Sequence, residues 1–424
     1  MRSRRGLAEA AGRWSATHRG AAVLLWLAFV AMATVLGSVV TTAQPTAAEL
    51  TNGQARQAER MLEEAGLQLP AHEVVFLRDD GHGLDSPVFR SAVDDVLSAL
   101  EDTGQVRHVV SPLDSAGHGA VSADGHAALV QFDMAGDSRQ AEAEVQTVLD
   151  AVAAVDRAHP DVRVEEFGEA SFAHVSKEKL HADYTAAEYV SFPVTLGILL
   201  VAFGAVVAAL LPVVLALTAV VAAGGLLALS SHLVHVDQNG SSVMSLIGIA
   251  VGVDYSLFYL RRVREERARG TATRAAVTAA AATSGRSVIV SGLTVIVSLA
   301  GLFLSGNGIF YGMASATIIV VAVAVLGSVT VLPALLSLLG DRLETGRVPF
   351  VRAARRGAQP HGAWYALVGR VLRRPVVSTA ACGGVLLALV VPAFSLHTSD
   401  PGVSDLPSGS LPILRTYEDI QRSF

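Results

Sequence analysis

One acidic side chain lies within an otherwise apolar stretch of the chain. Residues 241–262 read SSVMSLIGIAVGVDYSLFYLRR, and Asp254 is the sole charged residue before the arginine pair at the end. A stretch of about 20 apolar residues is long enough to span a ~30 Å hydrocarbon layer. At ~1.5 Å per residue, Asp254 would lie roughly 20 Å from Ser241 and roughly 10 Å from Arg261. We therefore expect a carboxyl group inside a membrane, where such groups usually serve a function.

The chemistry expected of Asp254 is proton exchange. Burial disfavours the charged form of a carboxyl unless a cation lies close, and no Lys or Arg lies within any predicted span. Such a group can take up and release protons as its access alternates between the two sides, driven by ~2.3 kcal/mol per 100 mV of membrane potential. Tyr255 follows directly and can donate a hydrogen bond to a carboxylate on a facing helix. The alternative is that protonated Asp254 serves only as a hydrogen-bonded contact between helices.

Small and hydroxyl-bearing residues accompany this pair. Gly248 and Gly252 form a GxxxG step on the tyrosine side of the helix, which would allow a neighbouring helix to approach closely. The candidate neighbour is the fifth span, where Ser291 and Thr294 supply hydroxyls. These hydroxyls are interpreted either as part of the relay or as packing residues.

The overall composition is that of an integral membrane protein. Of the 424 residues, 51% are hydrophobic and 17% are charged, and the mean hydropathy is +0.47; soluble proteins carry about 25% charged residues. The single cysteine, Cys382, excludes a disulfide framework and a cysteine-rich metal site. His232 and His235 lie in one loop and could suggest a metal site, but two histidines alone are more often solvated. We predict no metal, no cofactor and no nucleic-acid partner.

Seven apolar spans are predicted, and Asp254 is the sole Asp, Glu, Lys or Arg within them. They cover residues 21–40, 190–211, 213–231, 242–260, 287–305, 309–338 and 375–394.

The distribution of basic residues predicts the orientation of the spans. Cytoplasmic loops are rich in Lys and Arg, and this applies to residues 1–20, the 261–286 loop and the 341–374 loop. The loops at 230–240 and 305–308 have neither residue. The N-terminus and the arginine-rich loops are therefore predicted to be cytoplasmic. Residues 41–188 and 395–424 are then outside, provided that Leu211-Pro212-Val213 forms a tight turn between the second and third spans.

The polar region 41–188 is predicted to form one α+β domain. Strand patterns at 72–78, 105–111, 126–134 and 161–167 alternate with helical patterns at 87–100 and 138–156. The order βαββαβ indicates a ferredoxin-like, porter-type unit. A further helix over about 171–188 leads directly into the second span, so that movement of the domain could be coupled to the membrane helices.

An internal repeat is visible at an offset of 355 residues. Arg19-Gly20 before the first span matches Arg374-Pro375 before the seventh. The repeat predicts a polar helix near 407–420, with helical character after Pro412. Residues 395–424 are thus interpreted as the start of a second, truncated outer domain, and repeated halves are typical of secondary transporters.

The chain resembles the MMPL family (mycobacterial membrane protein, large) of the resistance–nodulation–division superfamily. The resemblance is carried by GIAVGVDYSLFYLRRVREE (248–266), GRSVIVSGLTVIVSLAGLFLS (285–305) and VTVLPALLSLLGDRL (329–343). It implies proton-driven export of lipids or other hydrophobic metabolites across the cell membrane, and no enzymatic activity. The Asp-Tyr relay of the family corresponds to Asp254 and Tyr255, and Phe258 corresponds to an aromatic residue of the relay channel.

One departure from the family pattern concerns the second half. The family has about twelve spans and a second Asp-Tyr pair on the tenth, whereas seven spans are found here. We expect either a fragment of a longer transporter or half-molecules that pair with each other or with a second half-transporter. A lone chain is then expected to be inactive in coupled transport.

Two other functions are weighed from the residues. An intramembrane aspartyl enzyme needs two carboxylates that share a proton, and the spans contain only one. A receptor-like or regulatory module that binds a lipid without transporting it, as in sterol-sensing relatives, is the alternative to export.

Overall fold

A computed structural model describes residues 7–40, 42–67, 69–114, 120–346, 363–395, 411 and 413–424. They belong to two compact units. The first unit is built from Met1–Met61 and Ala187–Arg373, and the second from Leu62–Ala186 and Arg374–Phe424. The predicted outer domain 41–188 is therefore divided, because its residues up to Met61 belong to the first unit.

In the described part of the chain, four helices precede the sheet of the second unit. The helices are α1 (Leu7–Thr17), α2 (Arg19–Val39), α3 (Ala47–Leu50) and α4 (Gly53–Glu64). The next elements are β1 (His72–Arg78), α5 (Pro87–Asp102), β2 (Val106–Val110), β3 (Ala127–Met134), α6 (Ser138–Ala158) and β4 (Arg163–Gly168).

The rest of the described chain is helical. It comprises α7 (Glu169–Phe203), α8 (Val206–Ser230), α9 (Gln238–Ala268), α10 (Thr273–Ala280), a π-turn (Ala281–Gly285), α11 (Arg286–Ala300), α12 (Gly308–Leu339), α13 (Ala363–Arg373), α14 (Pro375–Val390) and α15 (Ile413–Ser423).

Seven helical segments in the described residues are long and apolar enough to cross a membrane. They are α2, α7, α8, α9 from Gly240, α10 through Leu304, α12 and α14 through Phe394. The prediction of a polytopic helical membrane protein is confirmed as far as the number and apolar character of the long helices. The described residues also form a small four-stranded sheet.

The turn between the second and third spans is displaced from its predicted place. It lies at Gly204–Ala205 rather than at Leu211–Val213, so that prediction is wrong. Gly204 has φ +68°, a backbone conformation in which glycine commonly ends a helix. Pro212 lies inside α8, because neighbouring groups in a membrane bundle can accommodate a helical proline.

Two segments for which the sequence analysis predicts no helix contain helices. Residues 1–20, predicted as a basic N-terminus, include α1, which packs on α12 and on the π-turn. The 341–374 loop includes α13, whereas its residues 347–362 lie outside the described residues. Of the segment 395–424, residues 396–410 and 412 are outside the described part. The helix predicted after Pro412 is found as α15.

The second unit has an antiparallel sheet in the order β2-β3-β1-β4. One sheet face is covered by α5 and α6, whose apolar side chains share a core with β1, β3 and β4. On β4, α15 packs through Tyr417, whose ring centroid is 5.1 Å from that of Phe167. The Thr416 hydroxyl donates to Glu165 at 3.0 Å.

Two glutamates lie in the interior of this unit. Glu73 on β1 accepts hydrogen bonds from the backbone N–H of Ala170 at 2.6 Å and from the hydroxyl of Ser171 at 2.6 Å, in the first turn of α7. Glu166 on β4 is also buried, and neither of its carboxylate oxygens has a hydrogen-bond partner among the described residues. Glu73 thus caps α7. Glu166 has no such partner among the described residues, and the charge that acts on it is that of Glu73.

The core of the first unit is formed by α8, α9 and α12. The buried face of α8 consists largely of alanine and glycine. Small side chains let helices approach closely where lipid supplies no hydrophobic driving force. On α2, the indole Nε1 of Trp26 donates to the Thr218 hydroxyl on α8 at 3.1 Å.

Gly225 on α8 marks the closest approach of α2, which leads to a prediction. A Cβ at Gly225 would overlap the carbonyl oxygen of Ala33, whereas at Gly224 the nearest atom would be Cε of Met244, 3.9 Å away. Gly225→Ala is therefore expected to destabilise the first unit by about 1–3 kcal/mol. Gly224→Ala is the matched control and should be neutral or slightly stabilising, because alanine favours a helix by up to about 1 kcal/mol. Thermal unfolding of both variants in detergent would check this, and equal midpoints would contradict it.

Candidate functional site

Helix α9 presents one uncovered face, and Asp254 lies on it. The helix begins after Asp237, whose side chain accepts from the N–H of Gly240 at 3.0 Å. Four residues at four-residue spacing then share this face: Leu246, Ala250, Asp254 and Phe258. The Asp254 carboxylate forms no hydrogen bond or ion pair with any residue of the described part of the chain.

Asp254 is not covered by any other helix of the described part of the chain. The helices that pack on α9 lie on the side of α9 that is opposite to Asp254. A Cβ at Gly252 would be 2.8 Å from Cβ of Ala216 on α8. One at Gly248 would be 2.5 Å from Cγ2 of Val320 on α12 and 2.7 Å from Cγ2 of Val220 on α8. The prediction that the fifth span approaches the GxxxG step is therefore wrong, because the third and sixth spans do so.

Tyr255 points away from the exposed face and towards α11. Its side chain is 6% exposed and shares a buried cluster with Ala8 of α1, Val288 of α11 and Val329 of α12. A Cβ at Gly292 of α11 would be 3.5 Å from the Tyr255 hydroxyl. Asp254 and Tyr255 are adjacent in sequence, but they face different surroundings.

A crevice of about 480 Å³ lies between α9 and α11, beside Tyr255. Both helices pack on α12, which leaves the space between them open. The crevice is lined by Tyr255, Phe258, Arg262, Thr283, Ser284, Ser287, Val288 and Ser291.

The structure brings only some of the predicted site residues together. Tyr255, Phe258 and Ser291 line the crevice, and the Phe258 side chain is 62% exposed. Thr294 is exposed on α11, where its hydroxyl donates to the carbonyl of Val290 at 2.9 Å. Among the described residues, no hydrogen bond joins Thr294 to the Asp-Tyr pair.

Four polar lining residues are not among those singled out from the sequence. They are Arg262, Thr283, Ser284 and Ser287. A usable signal was present, because Thr283, Ser287 and Ser291 recur every four residues and would share one face of a helix.

Charged groups lie at one end of the crevice. The guanidinium of Arg262 is 2.8 Å from Glu266 and 3.4 Å from Glu265. These residues belong to the arginine-rich end of α9. Arg262 is thus already paired, which reduces its attraction for a further anion.

The histidine loop forms a different contact. Nδ1 of His235 is 2.9 Å from a carboxylate oxygen of Glu49. In the residues that the structure describes, no group of three His, Cys, Asp or Glu side chains could hold a metal ion.

Comparison with known proteins places the chain in a family. The profile described as "MMPL family" matches residues 42–378. The chain belongs to the MMPL family. Members are integral membrane transporters, so the resemblance noted from the sequence is confirmed.

Two relatives illustrate the similarity. The mycolic acid-containing lipids exporter MmpL11 of Mycolicibacterium smegmatis is 39% identical over 230 residues, which are 54% of this chain and 24% of that protein. The heme uptake protein MmpL11 of Mycobacterium tuberculosis H37Rv is 38% identical over 237 residues, which are 56% of this chain and 24% of that protein. The matched part of the chain thus corresponds to about a quarter of the length of these relatives.

A solved structure shows the same fold. The hedgehog release protein Disp of the water bear Hypsibius dujardini matches with a TM-score of 0.56 and 14% identity, over 78% of this chain and 49% of that chain. At this identity, the likeness concerns the fold alone.

Proposed function

We propose that the chain is part of a proton-driven exporter of lipids or hydrophobic metabolites across the bacterial cell membrane. Asp254 takes up and releases the proton, and Tyr255 relays it. The observation that carries the proposal is that Asp254 is the sole Asp, Glu, Lys or Arg within the seven predicted spans. Acids at that depth are costly and are typical of proton relays in transporters.

The class of substrate is proposed from the relatives. The M. smegmatis relative is named as an exporter of mycolic acid-containing lipids, and the M. tuberculosis relative as a heme uptake protein. Both named cargoes are large and hydrophobic. We therefore assign a hydrophobic substrate to this chain. A lipid is the first cargo to test, and export is the first direction to test.

The orientation and the outer domain belong to the same proposal. The arginine-rich ends of the spans are assigned to the cytoplasm, together with the N-terminus, in line with the positive-inside rule. The sheet of the second unit, with α5 and α6, then lies outside the cell membrane. Its strand order β2-β3-β1-β4, with helices after β1 and β3, supports the assignment as a ferredoxin-like porter domain.

The open face around Asp254 supports the proposal that the chain is part of a larger assembly. A carboxyl group at membrane depth normally faces protein or water rather than lipid. The face of Leu246, Ala250, Asp254 and Phe258 would therefore be covered by further helices. We propose a second half-transporter or a second copy of this chain in that position.

The proposal is tested by export in the native bacterium. Lipids are labelled metabolically, and their appearance outside the cell membrane is compared with and without the gene. The gradient is collapsed with a protonophore while cellular ATP is kept constant. We expect export that depends on both the gene and the gradient. Gene-dependent export that continues without a gradient, or lipid binding without any net export, would contradict the proposal.

A further inference from the structure

Another cavity of the first unit lies where α7 ends beside α9. Its volume is about 470 Å³, within the range of ligand sites, about 300–1,000 Å³. Among the described residues it has no lining residue in common with the crevice. Leu257, Arg261 and Ala268 line it from one face of α9, since they are spaced by four and seven residues. We propose that this α7–α9 pocket binds the phosphate group of an anionic phospholipid.

The ion pairs at the pocket leave a surplus of positive charge. Nε of Arg261 is 3.2 Å from one carboxylate oxygen of Glu265, and Nη1 of Arg262 is 3.4 Å from the other. Arg262 also lies 2.8 Å from Glu266, which is in turn 2.8 Å from Arg269. Three arginines therefore share two carboxylates, and one positive charge remains unbalanced within this cluster.

Arg261 is the arginine of this cluster that lines the pocket. Its side chain is 77% exposed, and its contact with Glu265 uses Nε. The two terminal nitrogens of the guanidinium can therefore form paired hydrogen bonds with phosphate oxygens, as arginine commonly does. The positive charge of the cluster is thus available at the mouth of the pocket.

Arg264 holds the two helices of the pocket together. Its Nη1 donates to the carbonyl of Phe203 at 2.8 Å, and its guanidinium carbon is 5.2 Å from the centroid of the Phe203 ring. Phe203 is the last residue of α7, so this carbonyl is one that the helix itself leaves without a partner. A cation above an aromatic ring is a further attraction. Arg264 therefore fixes the end of α7 against α9 and keeps the shape of the pocket.

The apolar part of the lining favours a lipid over a free phosphate ion. Ala202 and Leu257 line the pocket and belong to the second and fourth spans. Ile198 and Val194 precede Ala202 by four and eight residues, so they share its face of α7. Their side chains are 64% and 55% exposed. An apolar surface for acyl chains thus continues from the phosphate position at Arg261 along the span.

The location on the chain indicates which lipids reach the pocket. It lies at the arginine-rich end of α9, which the proposed orientation assigns to the cytoplasm. Anionic lipids give the cytoplasmic leaflet its negative surface potential, and basic pockets between spans bind their headgroups. The inference goes beyond the proposed function, because it concerns a lipid held at the membrane surface and not the transported cargo.

The test measures lipid binding by the purified full chain in detergent. Native mass spectrometry gives the affinities for phosphatidylglycerol and for phosphatidylcholine. Arg261→Gln removes the charge at the pocket, and Ala268→Leu narrows the pocket without a change of charge. Arg269→Gln is the matched control, because Arg269 is 62% exposed and pairs with a glutamate at the end of the same helix but does not line the pocket.

We expect the parent chain to bind phosphatidylglycerol at least about fivefold more tightly than phosphatidylcholine, which is the effect of roughly one basic residue at a lipid surface. Arg261→Gln and Ala268→Leu should each remove most of this preference, and Arg269→Gln should keep it. Equal affinities of the parent for the two lipids would overturn the inference. So would an equal loss in Arg261→Gln and Arg269→Gln, or an unchanged preference in Ala268→Leu, because binding would then follow the surface charge and not the pocket.

Competition distinguishes a lipid from a free phosphate. Inorganic phosphate at millimolar concentration should leave the binding of phosphatidylglycerol unchanged, because it cannot occupy the apolar surface of α7. Displacement of the lipid by inorganic phosphate would show that the pocket takes the free ion and would overturn the assignment to a lipid. None of these measurements uses a proton gradient, so their outcome does not depend on whether the chain exports lipids.

Discussion

Replacing Asp254 with Asn is expected to abolish gradient-dependent export and leave the amount of chain in the membrane unchanged. Asparagine has nearly the same size as aspartate but cannot bind and release a proton. The side chain lies on the exposed face of α9 and has no hydrogen-bond partner in the described part of the chain, so its replacement breaks no bond there. Export should therefore fall to the level of cells that lack the gene.

Two variants of α9 serve as controls. Asp254→Glu keeps an ionisable group at the same position and should retain part of the export. Ala250→Asn places the same amide one turn away on the same exposed face, and export should persist. Gradient-dependent export that survives Asp254→Asn would remove Asp254 from the mechanism and favour its role as a contact between helices.

Several elements can be predicted from the sequence because their signals are local. The strand predicted at 72–78 from HEVVFLR is found as β1, His72–Arg78. The helix predicted from Pro87 begins there, after Ser86, whose side chain accepts from the N–H of Phe89 at 3.0 Å. A run of strand-forming residues and an N-cap identify these elements without knowledge of the remaining fold.

The orientation of α9 could not be predicted. Its span is apolar around nearly its whole circumference, so hydropathy does not distinguish the packed face from the open one. The GxxxG step correctly predicts that a helix approaches closely, but residue spacing does not say which helix it is. The neighbour at Gly252 is Ala216 of α8, a small residue that suits a close helix contact as well as any residue of the fifth span would.

The crevice could not be predicted either, although the four-residue spacing of Thr283, Ser287 and Ser291 indicates one of its walls. Arg262 and Ser287 belong to different helices, and their proximity arises because α9 and α11 both pack on α12. The turn at Gly204–Ala205 has a related cause. The residues on both sides of it are apolar, so the sequence offers Gly204 and Pro212 as two possible places for the turn, and only tertiary packing selects the glycine.

The second prediction with a large expected effect concerns the interior of the second unit. Burial raises the pKa of the Glu166 carboxyl well above its ordinary value, and the charge of Glu73 raises it further. Burial also raises the pKa of Glu73, although its hydrogen bonds with Ser171 and Ala170 oppose the rise. The unit therefore has an acid without a hydrogen-bond partner next to the acid that caps α7.

The sign of the resulting pH dependence follows from proton binding. Because the pKa of Glu166 is higher in the folded state than the ordinary value of 4.5, the folded state binds more protons than the unfolded state between these two values. The stability that this carboxyl contributes is complete below pH 4.5 and is lost as the pH rises through the folded pKa. At neutral pH, Glu166 therefore destabilises the unit.

Glu166→Gln is expected to stabilise the second unit at neutral pH by more than about 1 kcal/mol, a factor of roughly five in the folded-to-unfolded ratio. The gain should vanish below pH 4.5, where the native carboxyl is also protonated. Glu101→Gln on α5 changes an exposed glutamate and should have no such effect. Hydrogen exchange of the β1 and β4 amides, measured in the full chain in detergent from about pH 4 to about pH 8, reports the difference between variant and parent. A difference that does not depend on pH would mean that the introduced glutamine merely repacks the site, and that the buried carboxyl does not control the stability of the unit.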